Sequence, residues 1–305
     1  MNDQVHPDLA AGLRRLPTLT FTRRNYRLIG LLYRVLGLKR ERNDGISISR
    51  IKHDGLPLRV YAPRNRQPVA ALLWIHGGGM IVGTARGDDT RCMRFASELG
   101  ALVVSPDYRL APKHPFPAAL DDCVNAWLWT VERATDLGVS PDRVSVAGAS
   151  AGGGLAASLA QRMHDEGGTA PAAQLLVYPM LDDRTAARED IGLREHLVWN
   201  RESNITGWSS YLGSGGEEPA PYAAPARRGD LSGLPPSWIG VGSLDLFLDE
   251  SREYAQRLMD AGVPCELQVV DGAFHGFEAM IPTPPVSQGF VEAQVKFLRR
   301  NLNAK

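Results

Sequence analysis

Apolar residues fall along this chain in short unbroken runs, set between longer stretches of helical period. Residues 69–75, 101–104, 144–147, 174–178, 238–241 and 266–270 are runs of this kind, apolar or nearly so and rich in valine and isoleucine. Runs of that length predict strands buried on both faces. Residues 46–51 and 56–61 instead alternate apolar with polar positions around Asp54-Gly55, the pattern of an antiparallel hairpin. Residues 89–99, 118–134 and 286–302 predict helices, as does the segment that begins after residue 150. A hairpin followed by strands alternating with helices predicts an α/β protein. Its sheet should be mostly parallel and eight-stranded, with helices on both faces.

Two stretches depart from that alternation. Residues 1–42 begin polar, then become amphipathic over 23–36 with a basic face. The segment is expected to pack its apolar face on the body of the protein as an N-terminal cap. A membrane-surface helix is the alternative, but a merely solvated helix also shows a basic face. Residues 181–224 lie between two core strands and are too long for an ordinary connection. They are expected to form a helical cap insertion above the carboxyl edge of the sheet, the core itself being residues 43–305. The two cap segments could close as a lid, with Tyr33, Trp199, Trp208 and Tyr211 lining a substrate pocket.

Composition narrows the class. The 305 residues carry 34 basic and 34 acidic side chains, and a balanced chain argues against nucleic acid as a partner. Cys92, Cys123 and Cys265 are few, odd in number and widely spaced, which reads as reduced thiols and not as a disulfide framework or zinc site. The first residues lack a basic region followed by an apolar run, and no stretch is long and apolar enough to span a membrane. A cytoplasmic address without stable membrane insertion is expected, and a homodimer stays open.

The chemistry centres on Gly148-Ala149-Ser150-Ala151-Gly152, placed between a buried strand and a helix. A serine on such a turn has its Oγ pushed out at the sheet edge, over a helix N-terminus. The pentapeptide alone would also fit a plain glycine-rich turn. A serine nucleophile needs a base, and the base needs a carboxylate. Of the seven histidines, only His275 lies between the last strand and the last helix. After the strand ending near Val241, Asp245 is the carboxylate nearest the strand end. Asp249 and Glu250 sit where the next helix begins and are read as caps. His76-Gly77-Gly78-Gly79 follows another strand, and Gly78, Gly79 and Ala151 are expected to supply the N–H groups of an oxyanion hole. His76 reads as an anchor of that loop. The acidic pairs Asp88-Asp89, Asp121-Asp122 and Asp182-Asp183 have no accompanying histidine ligands and read as solvated surface or caps.

Taken together, these motifs resemble the hormone-sensitive-lipase-like (family IV) carboxylesterases of the α/β-hydrolase fold. The matching residues are His76 to Gly79, Asp107 to Pro112, Phe116-Pro117-Ala118, Gly148 to Gly153, Asp245 with Asp249-Glu250, and His275-Gly276-Phe277, in the family's order. The chain departs from the family in having Ala149 where an Asp is usual, Leu246 where Pro is common, and Lys113 in place of Glu. The resemblance implies a serine carboxylesterase acting on small-molecule esters of short to medium acyl chains, with no cofactor and no metal. It also implies that Tyr108 and Arg109 support the loops without doing chemistry. An amidase or peptidase using the same three residues is one alternative. A non-catalytic ligand-binding member of the fold is another, against which the presence of His275 argues.

Overall fold

The apolar runs and the hairpin assemble into one eight-stranded sheet. The computed structural model describes residues 4–16, 20–36, 43–192, 196–213 and 218–303, with the backbone alone of 32–36 and 303. Helices α1 (Pro7–Leu13) and α2 (Tyr26–Leu36) precede the hairpin β1 (Ile46–His53) and β2 (Leu56–Pro63). Then come β3 (Ala70–Ile75), α3 (Asp89–Leu99), β4 (Ala101–Pro106), α4 (Ala118–Asp136), β5 (Val144–Ala149), α5 (Ala151–Asp165) and β6 (Gln174–Val177). The chain continues through α6 (Arg201–Leu212), β7 (Ser237–Gly242), α7 (Leu248–Asp260), β8 (Cys265–Val270), the single turn α8 (Phe277–Met280) and α9 (Pro285–Asn303).

The strand order is β1-β2-β4-β3-β5-β6-β7-β8. Strand β2 is antiparallel to both neighbours, and every pairing from β4 to β8 is parallel. Successive side chains of a strand point to opposite faces, and the core divides accordingly. In β3, Ala71, Leu73 and Ile75 join a core shared with α4, α5 and α7. Ala70, Leu72 and Trp74 join the opposite core, shared with α1, α3 and α9.

Register decides which loops meet. Ile75 at the end of β3 pairs with Gly148 near the end of β5, and Ala149 pairs with Val177 of β6. Gly242 at the end of β7 pairs with Val270 at the end of β8. The loops leaving these five strand ends therefore lie along one carboxyl edge, where open α/β sheets bind ligands.

Two elements differ from expectation. Helix α1 has no sequence signature of its own, because only Leu9 of its seven residues is buried. Within the insertion, 208–212 belongs to α6, but 196–199 turns without helix and leads into Asn200. The Asn200 Oδ1 caps α6 by accepting from the Ser203 amide at 3.0 Å. Helix α6 carries no amphipathic stripe because it is buried around most of its circumference, Ser203, Asn204, Trp208 and Tyr211 included. Cys92 and Cys123 are buried free thiols, and Cys265 is a half-buried one. Among the described residues, no helix is long and apolar enough to cross a membrane.

Candidate active site

Strand β5 turns into α5 at Ser150, whose backbone sits at φ 56° and ψ −122°. A non-glycine residue in that region carries strain of order 1–3 kcal/mol, which its surroundings must hold. They do so through backbone hydrogen bonds. The Ser150 amide donates to Val177 O at 2.9 Å, and Ser150 O accepts from Met180 N at 3.0 Å. The flanking glycines are needed for close approach. A Cβ on Gly148 would lie 2.1 Å from Gly152 O, and one on Gly152 would lie 2.1 Å from Ile75 O.

The loops after β7 and β8 bring two more side chains to this turn. His275 Nε2 lies 3.0 Å from Ser150 Oγ, and His275 Nδ1 lies 2.9 Å from Asp245 Oδ2. All three residues are buried. The other oxygen of Asp245 accepts from the Phe247 amide at 3.0 Å, which fixes the carboxylate. Aromatic rings flank the imidazole, Tyr178 at 4.7 Å and Phe247 at 5.2 Å, both edge-on.

The capping reading of Asp249 and Glu250 is corrected by the structure. Neither caps α7, whose N-cap position is Phe247 without a side-chain bond. Asp249 is exposed and pairs with Arg188 at 2.7 Å. Glu250 is buried, and its carboxyl accepts from the Leu181 amide at 2.7 Å, from the Asp182 amide and from the Thr185 hydroxyl. Burial pushes this carboxyl well above its ordinary value, against the pull of those donors. Glu250 thus ties α7 to the start of the insertion. The acidic pairs likewise belong to structure: Asp122 holds the Arg109 guanidinium and amide, and Asp89 holds Arg59 and the Tyr61 hydroxyl.

The glycine loop after β3 lies beside the serine. A Cβ on Gly77 would stand 3.3 Å from Ser150 Cβ. Gly78 has φ 120° and Gly79 φ 58°. Among the described residues, the amides of Gly78, Gly79 and Ala151 donate to no protein acceptor. His76 anchors the loop: its Nδ1 lies 2.8 Å from Gly77 O, and its ring stacks on Tyr108 at 4.2 Å. The Tyr108 hydroxyl donates to His76 O at 2.9 Å, and burial holds the phenol far above its ordinary value, so it stays a neutral donor. Asp107 accepts from the Ala85 amide at 2.7 Å and closes the far end of the loop.

Of the four expected pocket residues, Trp199 is brought to this loop. A Cβ on Gly79 would stand 2.1 Å from Trp199 Cη2. Gly207 of α6 packs on the same place, where a Cβ would stand 3.0 Å from Gly79 O. The N-terminal segment joins from the other side: Phe21 packs on Trp199 at 5.5 Å, its amide donates to Ser203 Oγ at 2.9 Å, and Asn200 Nδ2 donates to Thr20 Oγ1 at 2.8 Å. Trp208 and Tyr211 are buried against each other, and Tyr211 O accepts from the Phe116 amide at 2.7 Å. Tyr211 packs on Phe116 of the proline-rich loop, ring to ring at 5.7 Å. The side chain of Tyr33 lies outside the described residues.

Gly79 therefore has two reasons to be glycine, its dihedral and the indole above it. Gly79→Val is expected to displace either the loop or Trp199 and to lower kcat by about 10²-fold or more on an ester substrate. Wild-type turnover in a variant with native circular dichroism would put the oxyanion donors elsewhere.

A serine hydroxyl, an imidazole and a buried carboxylate in line, at a helix N-terminus and beside the glycine loop, can activate an oxygen nucleophile and receive a developing oxyanion. The fold and this geometry define an α/β hydrolase, and a family model for the alpha/beta hydrolase fold matches residues 72–279. The ethyl acetate hydrolase of Pseudomonas putida is 34% identical over 251 residues, covering 79% of this chain and 78% of the relative. Carboxylesterase NlhH of Mycobacterium tuberculosis is 34% identical over 263 residues, covering 83% and 82%. Among solved structures, the bacterial heroin esterase superposes with a TM-score of 0.89 at 38% identity, covering 98% of both chains. Esterase LipW from Mycobacterium marinum superposes with a TM-score of 0.88 at 34% identity, covering 98% of this chain and 96% of that one. The chain belongs to the hormone-sensitive-lipase-like carboxylesterases of the α/β-hydrolase fold.

Sequence reasoning missed several neighbours of the site. Tyr178, Phe247 and Gly207 touch His275 or the glycine loop, yet each reads in sequence as ordinary core. The one available signal was position, since Tyr178 ends the run after the elbow helix and Phe247 follows Asp245 by two residues.

Proposed function

We propose that this protein is a serine carboxylesterase that hydrolyses small carboxylic esters of short to medium acyl chains through an acyl-enzyme intermediate. The observation that carries this reading is the continuous hydrogen-bonded line Asp245–His275–Ser150 at a strained turn beside free amides. The relatives named above as ester hydrolases support it. Ser150 Oγ attacks the ester carbonyl carbon while His275 Nε2 takes its proton. Asp245 holds the Nδ1–H and stabilises the imidazolium. The amides of Gly78, Gly79 and Ala151 receive the oxyanion, supplementing the α5 N-terminus. The tetrahedral intermediate collapses, the C–O bond to the alcohol breaks, and the alcohol leaves with the proton from His275. Water then attacks the acyl carbon while His275 Nε2 takes its proton, the bond from the acyl carbon to Ser150 Oγ breaks, and His275 returns the proton to Oγ as the acid leaves. Each step needs only these side chains and water.

Substrate size follows from the lid. Trp199 and Gly207 of α6 lie against the glycine loop, with Phe21 packed on Trp199, so the acyl group enters a space bounded in part by the Trp199 indole. On this reading the enzyme acts as a cytoplasmic protein on a soluble ester, with no nucleic acid as partner.

The test is a series of p-nitrophenyl esters of rising acyl length beside the matching p-nitroanilides. KM is expected to fall about fourfold per methylene, from roughly 0.8 kcal/mol each, until the pocket is full, and then to rise. Anilides are expected to be poor substrates. Faster cleavage of anilides than of esters would make the protein an amidase, and stoichiometric binding without turnover would make it a ligand-binding protein.

A further inference from the structure

Tyr178 is the second strained residue beside Ser150. Its φ is 35°, a left-handed value that a bulky side chain adopts only when its surroundings impose it. Its amide donates to Gly240 O at 2.6 Å. Its sequence neighbours hold the nucleophile's backbone: Val177 O accepts from Ser150 N, and Met180 N donates to Ser150 O. The main chain at Tyr178 is therefore tied to the elbow on both sides.

Its side chain points the other way, toward the histidine. The ring meets the His275 imidazole at 4.7 Å and 62°, and Phe247 meets it at 5.2 Å and 85°. The hydroxyl donates to Glu278 Oε1 at 2.8 Å, and Arg91 Nη2 donates to the same oxygen at 2.6 Å. The Glu278 side chain is fully buried. Arg91 lies over the Trp74 ring at 5.0 Å, and the Trp74 indole N–H donates to Asp88. Burial and the Glu278 charge hold the Tyr178 phenol well above its ordinary value, so it remains a neutral donor at any working pH. Glu278 sits three residues after His275, on α8. A buried ion pair is costly to form and is weak evidence for stability. This one links α3, the histidine loop and the end of β6 through one tyrosine.

We propose that Tyr178, anchored through its hydroxyl to the buried Glu278–Arg91 pair, is a positioning residue that holds the His275 imidazole in line with Ser150 Oγ. The proposal rests on the reading of Ser150 as nucleophile and His275 as base. Tyr178 lies in the segment whose residues Val177 and Met180 bond the Ser150 main chain, and its own side chain touches the imidazole. Small displacements of a reacting pair are expensive, since about 1 Å of misplacement can cost on the order of 10²-fold in rate.

The experiment is a mutant cycle on the full chain, read with p-nitrophenyl acetate and with the rate at which a fluorophosphonate labels Ser150. Tyr178→Phe keeps the ring and removes the anchor. It is expected to lower kcat about 10-fold with KM within about twofold, and to slow labelling in parallel. Tyr178→Leu removes the ring contact as well and should lower kcat about 10²-fold. Thermal melts taken alongside separate these losses from unfolding. In a His275→Ala background, Tyr178→Phe should cost nothing further, because there is no imidazole left to hold. A native-stability Tyr178→Phe with wild-type kcat, or an equal loss in the His275→Ala background, would overturn the inference while leaving the catalytic reading intact. Full turnover in His275→Ala alone would overturn that reading, and this inference with it.

Discussion

Replacing Ser150 with alanine is expected to lower kcat by about 10⁴-fold or more, and His275→Ala by a comparable factor, with the double variant little worse than either. The reason lies in the 3.0 Å contact between Oγ and Nε2. The hydroxyl is a nucleophile only while the imidazole can take its proton, so each residue's contribution exists only in the presence of the other. On the proposed mechanism, what survives in the variants comes from the amides at Gly78, Gly79 and Ala151 and from binding alone. The measurement is kcat on one ester for both single variants and the double. Losses that multiply would show that the two side chains act in separate steps. Labelling by a fluorophosphonate should stop with Ser150→Ala and only slow with His275→Ala, which separates loss of the nucleophile from loss of its base.

The second large effect is expected at the carboxylate. Asp245→Asn should lower kcat by about 10³-fold or more, whereas Asp249→Asn should leave it within about twofold. The two residues are four apart in sequence and differ completely in setting. Asp245 Oδ2 faces His275 Nδ1 at 2.9 Å, in a side chain with no exposed surface, and its other oxygen is held by the Phe247 amide. An asparagine there presents either an amide donor to Nδ1, which forces the wrong tautomer, or a neutral oxygen, which no longer stabilises the imidazolium. Asp249 is exposed and bonded to Arg188 in a surface pair of the sort worth little in water. Comparing kcat for the two asparagine variants decides the assignment. A larger loss at 249 than at 245 would move the acid four residues on, into α7.

Much of this site was legible in the chain because its parts are local. A serine between a buried run and a small-residue helix start can adopt few geometries, and Gly148 and Gly152 mark where the backbones cross. Asp245 and His275 were legible through position, since each follows the end of one particular strand. Parallel pairing of β7 with β8 then brings the two loops together. The glycines at 78 and 79 announced unusual backbone, though not that Trp199 would fill the space above Gly79.

Other features had no local signature. Helix α1 is too short and contributes a single buried leucine. Helix α6 has no amphipathic stripe because neighbours cover it nearly all round. Glu250 looked like a helix cap because acidic residues favour first turns. Its partners lie some 65–69 residues away in sequence, at the start of the insertion.

The amino-acid sequence by itself determined the order of the strands and of the helices between them in the core, the elbow at Ser150 and the three side chains of the proposed chemistry. These depend on hydrophobic period, on turn residues and on order along the chain, all of which are properties of neighbours. Only the tertiary structure decided what surrounds them: Trp199 and Gly207 against the glycine loop, Phe247 and Tyr178 edge-on to the imidazole, and Glu278 paired with Arg91 at the Tyr178 hydroxyl. Arg91 and Glu278 are 187 residues apart. No spacing rule joins such residues, because their meeting depends on the closing of the whole sheet and on which buried polar groups must then find partners.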